Sequence, residues 1–285
     1  MVLNMKTNNS VKLDINSRWE LNDGNTMPIV GLGTWEAQGK DVENAVFHAI
    51  ESGYRHIDTA KIYGNEEQVG AGVRRAISEL GISRAEIFVT TKLWNSDHAN
   101  VQRAFDDSLR RLGLDYIDLY LMHFPVAQRL ESWKVMEKIK QSGKAKSIGV
   151  SNFMVPHLEA LLAVCKILPS VNQVEMTPLL YQKELIEFCK GKNILLQAYS
   201  PLLRGQRLDD PAFVKIANAH HKTVAQVLLR WCLQHGLVPL PKSVTPSRIE
   251  ENIALFDFEL TSAEMRTLNS LNENLRLCWD PTTAP

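Results

Sequence analysis

Apolar positions along this chain keep two periods. From Pro28 to Leu240, short runs rich in apolar and β-branched residues alternate with longer stretches in which apolar residues recur every three or four positions. These are the spacings of a buried strand and of a one-sided helix. The strand runs are Ile29 to Gly33, His56 to Asp58, Ile87 to Thr91, Tyr116 to Met122, Ser147 to Val150, Val171 to Val174, Ile194 to Ala198 and Leu237 to Leu240. Val42, Ala45, Val46, Ala49 and Ile50 share one helical face, as do Val69, Val73, Ala76 and Leu80, and then Val101, Ala104, Phe105, Ser108, Leu109 and Leu112. Leu130, Trp133, Met136 and Ile139 mark a fourth helix, Leu158, Leu161 and Leu162 a fifth, and Leu185 with Phe188 a sixth. End signals agree. Asp41 is placed to cap the first helix, and Asn65 with Gln68 to form a reciprocal cap on the second. Gly81, Gly113 and Gly143 stand where helices stop. Asp210-Pro211, Thr223 with Gln226, Thr245-Pro246, and Thr261 with Glu264 open the last four helices.

Upstream, Trp19 to Met27 reads as a hairpin, because Asp23-Gly24 supplies the positive φ its turn requires. Residues 1–18 are expected to form a flexible extension, with Val11 to Ile15 alternating as an edge strand, and 19–285 a single domain. Strand runs begin about every 30 residues, as a βα unit requires. The expected fold class is therefore α/β: a closed (β/α)8 TIM barrel with an N-terminal β-hairpin and extra C-terminal helices. An open doubly wound sheet is the alternative. The tail from Asn272 to Pro285 has no period.

Composition narrows the function. Of 285 residues 45% are apolar, and Lys plus Arg equals Asp plus Glu at 32, so no net charge draws the chain to nucleic acid or a membrane. Cys165, Cys189, Cys232 and Cys278 lie too far apart for a disulfide framework or a zinc motif, and no metal site is expected. The first eighteen residues carry no secretory apolar core, and no apolar run approaches the ~20 residues of a membrane span. A cytoplasmic monomer is the expectation.

The chemistry lies where polar residues interrupt strand ends: Gly33-Thr34-Trp35, Asp58, Lys92, His123, Ser151-Asn152, Gln173-Val174-Glu175, Tyr199-Ser200 and Lys242-Ser243. Each alone reads as a cap or a solvated side chain. A closed barrel gathers all eight at one mouth. A phenol titrates near ~10, and a neighbouring ammonium lowers that value. Asp58, Lys92 and Tyr63 thus supply an oriented cation and a proton donor, and His123 an orienting or proton-passing group. Such a site protonates an alkoxide forming on a carbonyl carbon, and it needs a hydride donor. Tyr199 offers a stacking face, Asn152 and Gln173 offer partners for a carboxamide, and Pro241 to Arg248 opens a helix with Lys242 and Arg248 beside its N–H groups. Gly31-x-Gly33 and Gly70-x-Gly72 lack the third glycine of a dinucleotide fingerprint, so a Rossmann fold is rejected. His220-His221 is expected at the surface. Trp35, Trp94, Phe124 and Trp279 read either as core or as an apolar substrate wall.

Gly-Leu-Gly-Thr-Trp at 31–35, Gly-Tyr-Arg-His-Ile-Asp-Thr-Ala at 53–60, Tyr-Gly-Asn-Glu at 63–66, Thr-Lys-Leu-Trp at 91–94, Leu-Met-His-Phe-Pro at 121–125, Gly-Val-Ser-Asn-Phe at 149–153, Asn-Gln-Val-Glu at 172–175, Ala-Tyr-Ser-Pro-Leu at 198–202 and Pro-Lys-Ser at 241–243 together resemble the aldo-keto reductases. The resemblance spans about residues 19–271. It implies a (β/α)8 barrel reducing aldehydes or ketones with NADPH, with Asp58, Tyr63, Lys92 and His123 catalytic and Tyr63 the acid. It further implies cofactor contacts at Gly33, Thr34, Trp35, Asp58, Ser151, Asn152, Gln173, Tyr199, Ser200 and Leu202. Lys242, Ser243, Thr245 and Arg248 would hold the adenosine 2′-phosphate, Glu251 and Asn252 the adenine, and Val244 would also contact the cofactor. Trp35, Trp94, His123, Phe124 and Trp279 would line the substrate pocket. The chain departs from the family pattern at Phe124, where Trp is common, and at Met176, where His is common. Its short connections after His123 and Tyr199 resemble microbial members. A cofactor-binding regulatory subunit with little turnover stands as the alternative function, and a sugar-phosphate barrel enzyme stands behind it.

Overall fold

The computed structural model describes residues 1–4 and 12–285. Strands β1 (Val2–Leu3), β2 (Arg18–Glu20) and β3 (Thr26–Pro28) form a small sheet, in which β2 and β3 are the expected hairpin. Its turn differs in type from the expectation. Gly24 alone takes positive φ (+82°), Gly24 N donates to Leu21 O at 3.1 Å and Leu21 N to Asn25 O at 2.8 Å. This is a three-residue connection, in which the glycine after an ordinary turn takes up the twist. The edge strand forms at Val2–Leu3, parallel to β2, and not at Lys12 to Ile15. Val11, the first residue of the expected strand, lies outside the described residues.

The eight expected strand runs become β4 (Leu32–Gly33), β5 (His56–Asp58), β6 (Phe88–Leu93), β7 (Ile117–Met122), β8 (Ala145–Ser151), β9 (Val171–Glu175), β10 (Leu195–Tyr199) and β11 (Val238–Leu240). They pair in chain order, all parallel. The sheet closes where Gly31 N donates to Pro239 O at 3.1 Å and Gly33 N to Pro241 O at 2.9 Å. That closure excludes the open doubly wound alternative. A Cβ on Gly33 would sit 3.0 Å from Leu240 O, so the seam leaves little room for a side chain there.

Helices α1 (Gly39–Glu51), α2 (Glu66–Leu80), α3 (Val101–Leu112), α4 (Arg129–Gln141), α5 (Val155–Leu162), α6 (Lys183–Gly191), α7 (Pro211–Ala219), α8 (Val224–Gln234), α9 (Pro246–Ile253) and α10 (Ser262–Ser270) cover the barrel. Thr223 and Thr261 close the expected capping boxes, and Asp210 accepts from Ala212 N. Two expected caps are corrected. Asp41 lies inside the first turn of α1, which starts at Gly39 after Gln38. Asn65 precedes α2 but makes no side-chain cap. Its Oδ1 accepts from Thr59 Oγ1 (2.7 Å), and its Nδ2 donates to Thr34 O and Ala37 O (2.9 Å each). The side chain is spent tying two mouth loops together. Gly70 and Gly72 are close-packing residues: a Cβ would meet Leu112 O at 1.9 Å or Glu43 O at 2.7 Å.

Two cores follow from the period of two. Outward residues such as Val89, Tyr120 and Val174 pack beneath the helices. Inward residues Phe88, Leu119, Leu121, Val171, Leu195 and Val238 fill the lower barrel with Leu21 and Met27 of the hairpin segment. The hairpin thus plugs the end where strands begin, and the other end is left for chemistry. No helix among the described residues is long and apolar enough to cross a membrane.

Candidate active site at the barrel mouth

Alternation builds the site. β5 pairs with β6 so that Asp58 lies beside Thr90. Two residues on, Lys92 points the same way as Thr90, into the barrel. Two residues past Leu121, His123 does likewise from β7. The same rule turns Ser151, Gln173 and Tyr199 inward from β8, β9 and β10. Lys92 is within β6, one residue before its end, and is 0% exposed. Tyr63 arrives on a single 3₁₀ turn, Lys61–Tyr63, ended by Gly64 at φ +67°.

Lys92 Nζ donates to Asp58 Oδ1 (2.6 Å), Thr59 O (2.9 Å) and the Tyr63 hydroxyl (3.2 Å). Asp58 Oδ2 accepts from Gln173 Nε2 (2.8 Å), which also donates to Gln197 Oε1 (2.8 Å). The carboxylate, ammonium and phenol foreseen from the sequence are therefore one bonded chain.

Their electrostatics differ from the expectation. Burial pushes the Tyr63 phenol well above its ordinary range, and the charges of Asp58 and Cys278 add to the rise. A phenol made acidic by Lys92 is corrected to one that holds its proton. Lys92 is matched by Asp58 at ion-pair distance, so Tyr63 faces a dipole in a dry cavity and not a lone cation. Burial likewise pushes Asp58 up and Lys92 down, each opposed by its partner. Burial first, and then the charge of Lys92, hold His123 well below the ordinary histidine range, so its ring is neutral. Its Nδ1 is buried without a partner.

The four pocket aromatics join His123 and Tyr63 in one wall. Trp35 lies 4.8 Å from the Tyr63 ring, Trp94 lies 5.4 Å from His123, and Phe124 stacks on His123 at 4.8 Å. Trp279 meets Phe124 edge-on at 4.7 Å. Trp35 and Trp279 are 45% and 50% exposed, so the wall opens to solvent and these two are not core.

The remaining residues lie on adjoining loops. Thr34 Oγ1 donates to Asp58 O, which fixes the rim after β4. Asn152 has both amide hydrogens engaged: Nδ2 donates to His123 O (2.9 Å) and Ser151 Oγ (3.2 Å), while Oδ1 accepts from the Tyr199 hydroxyl (2.8 Å). Ser151 Oγ donates to Gln173 O. Ser200, at φ +49°, sits 3.5 Å from Cys278 Sγ, and Leu202 packs on the core. Ser243 Oγ accepts from Thr245 N; Val244 and Arg248 are exposed at the start of α9. Lys242 reaches only Glu36 O, at 3.4 Å, and neither cation has a carboxylate partner among the described residues. Glu251 is engaged by Thr223 Oγ1 (2.8 Å), and Asn252 is buried. These two are set apart from the Asp58 centre. The sequence reading missed Thr59, whose contribution is a backbone carbonyl and leaves no side-chain signal. It also missed Gln197, which the period of two upstream of Tyr199 could have shown. His220 bonds Glu264 near the surface, as a structural pair.

Residues 29–273 match the model of the Aldo/keto reductase family. Similar proteins include a glyoxal reductase of Bacillus subtilis (strain 168), 48% identical, with 92% of this chain and 95% of that protein covered. A 9,11-endoperoxide prostaglandin H2 reductase of Trypanosoma cruzi (strain CL Brener) is 49% identical, with 90% and 91% covered. Among solved structures, the Bombyx mori aldo-keto reductase AKR2E4 in complex with NADP superposes with a TM-score of 0.89 at 44% identity, over 94% of this chain and 97% of that one.

Proposed function

The chain belongs to the aldo/keto reductase family, and from that premise we propose that its Asp58–Lys92–Tyr63 chain, with His123, protonates a carbonyl oxygen during reduction to the alcohol. The protein is an NADP-dependent oxidoreductase that reduces aldehydes and ketones. The observation that carries the residue assignment is Lys92 Nζ, bonded at once to Asp58 and to the Tyr63 hydroxyl under an aromatic wall.

The residues present fit a dinucleotide. Gln173 has spent both amide hydrogens on Asp58 and Gln197, which leaves its Oε1 as an acceptor. Asn152 Oδ1 keeps one lone pair beyond the Tyr199 bond. These two oxygens suit the two hydrogens of a carboxamide. Tyr199 offers a ring face. Lys242 and Arg248, unmatched by carboxylates at the N-terminus of α9, suit a phosphate. NADPH, when bound, supplies the hydride.

The chain's own residues do the rest. His123, neutral and without an acceptor near Nδ1, carries its hydrogen on Nε2, because a buried N–H without a partner costs more than an idle lone pair. Nε2–H then donates to the substrate oxygen and orients it. As charge grows on that oxygen, Tyr63 gives up its proton. Lys92 stabilises the phenolate left behind, and Asp58 and Thr59 O keep Lys92 in place. The high resting pKa of Tyr63 keeps the donor loaded. Trp94 and Phe124 exclude water around the reacting carbon, while Trp35 and Trp279 stand at the solvent-facing rim.

Consumption of NADPH with methylglyoxal tests this, the relative's name supporting a small dicarbonyl as the first substrate. Tyr63→Phe is expected to lower kcat/KM by about 10²–10⁴-fold, the worth of a positioned acid, while NADPH binding is kept. Equal rates in the two proteins would refute the assignment. A monomer in the cytoplasm completes this reading, and four free thiols fit a reducing compartment.

A further inference from the structure

We propose that Glu175 is a positioning residue that holds the C-terminal segment 276–280 across the barrel mouth, so that Trp279 completes the wall against which aromatic carbonyl substrates sit. The proposal rests on the reductase reading above and deepens it: Glu175 sets the preference for bulky aromatic over small substrates.

Glu175 ends β9, and the period of two turns it inward beyond Gln173, into the polar layer of the mouth. It is 1% exposed and takes no part in the proton chain. No Lys, Arg or His lies within ion-pair distance of it among the described residues. Both oxygens are spent on one stretch of tail: Oε1 accepts from Leu277 N (2.8 Å) and Oε2 from Cys278 N (3.3 Å). A carboxylate gripping two consecutive backbone N–H groups fixes the direction of the chain as well as its place. The grip is reinforced from behind. Glu175 O accepts from Gln182 Nε2 (2.8 Å), and Gln182 Oε1 accepts from Arg276 (3.1 Å). The tail has no helix or strand to hold it, so these bonds aim the residues just beyond them. Cys278 comes to lie beside Ser200, and Trp279 stands edge-on to Phe124. Phe124 in turn stacks on His123. A buried carboxylate on one strand therefore decides where an indole stands over the substrate's end of the site.

The test compares the full-length protein with Glu175→Gln, in which one carboxylate oxygen becomes an amide that cannot accept an N–H. Glyoxal and 2-naphthaldehyde are reduced with NADPH. For Glu175→Gln, KM for 2-naphthaldehyde is expected to rise about tenfold, the scale of one lost apolar contact, with glyoxal kinetics and kcat unchanged. Trp279→Ala is expected to give the same loss on 2-naphthaldehyde, and the double variant no further loss, because both changes remove one contact. Gln182→Ala loosens the same tail from a more accessible position and is expected to shift 2-naphthaldehyde in the same sense, by about threefold. It decides the matter should Glu175→Gln not fold. Equal losses on both aldehydes, no selective loss, or additive losses in the double variant would overturn the proposal. Absence of turnover by the unaltered protein on both aldehydes would instead remove the reductase reading.

Discussion

Replacing Lys92 by Met removes three hydrogen bonds from one buried atom, those to Asp58, Thr59 O and Tyr63. The variant leaves Asp58 in a dry site, its Oδ2 still held by Gln173. Breaking a buried pair this way costs about 3–5 kcal/mol. The pH dependence is the sharper signature. In the intact protein the Asp58–Lys92 pair holds one proton, wherever that proton sits, and the unfolded chain near neutrality also holds one, on Lys92. The pair therefore contributes no pH slope there. In Lys92→Met the folded Asp58, already pushed up by burial, loses the cation that opposed the push and keeps its proton. The unfolded Asp58 releases its proton above its ordinary 3.8. The unfolded state then binds fewer protons, and stability falls as pH rises. The pH-dependent part of the cost is absent below that value and grows by about 1.4 kcal/mol per pH unit until the folded pKa is reached. Between pH 5 and pH 7 the gap to the unaltered protein should widen as pH rises, by at most about 1.4 kcal/mol per unit. Asp58→Asn in the same chain removes the titrating group, so the slope should vanish, leaving about 1–2 kcal/mol for unmet hydrogen bonds. Urea unfolding at pH 5, 6 and 7, with equal m-values, reads all of this. A pH-independent gap, or a slope that survives Asp58→Asn, would refute the reasoning.

Two other outcomes are expected from the same structure. Arg248→Ala should weaken NADPH by about 10–100-fold, the worth of a charge-assisted bond of 1.5–3 kcal/mol, and leave NADH unchanged in a fluorescence titration; equal weakening of both would remove the phosphate assignment. His56, fully buried against Thr90 at 3.0 Å, has its pKa lowered from 6.5 to about 3, chiefly by burial. The unfolded chain takes up that proton first, so stability should begin to fall as pH drops through 6.5, by about 1.4 kcal/mol per unit down to about 3. His56→Leu should make the acid limb of the unfolding curve shallower by one proton, and an unchanged limb would exclude His56 as its source.

How much of this was legible beforehand depends on the range of the interaction. The two hydrophobic periods determined which residues form β4 to β11 and which face of each helix is buried, because those choices follow from neighbours two to four positions away. They also placed Asp58, Lys92, His123, Ser151, Gln173 and Tyr199 at strand ends. Alternation along a parallel, chain-ordered sheet then brings these onto one inner layer. Tertiary structure decided what depends on distant chain and on dryness. The Asn65 side chain left its cap for loops near Thr34 and Thr59. Tyr63 became a reluctant acid because burial and Asp58 outweigh a cation whose charge is already matched. Glu175 found its partners a hundred residues downstream, in backbone N–H groups that no side-chain pattern announces.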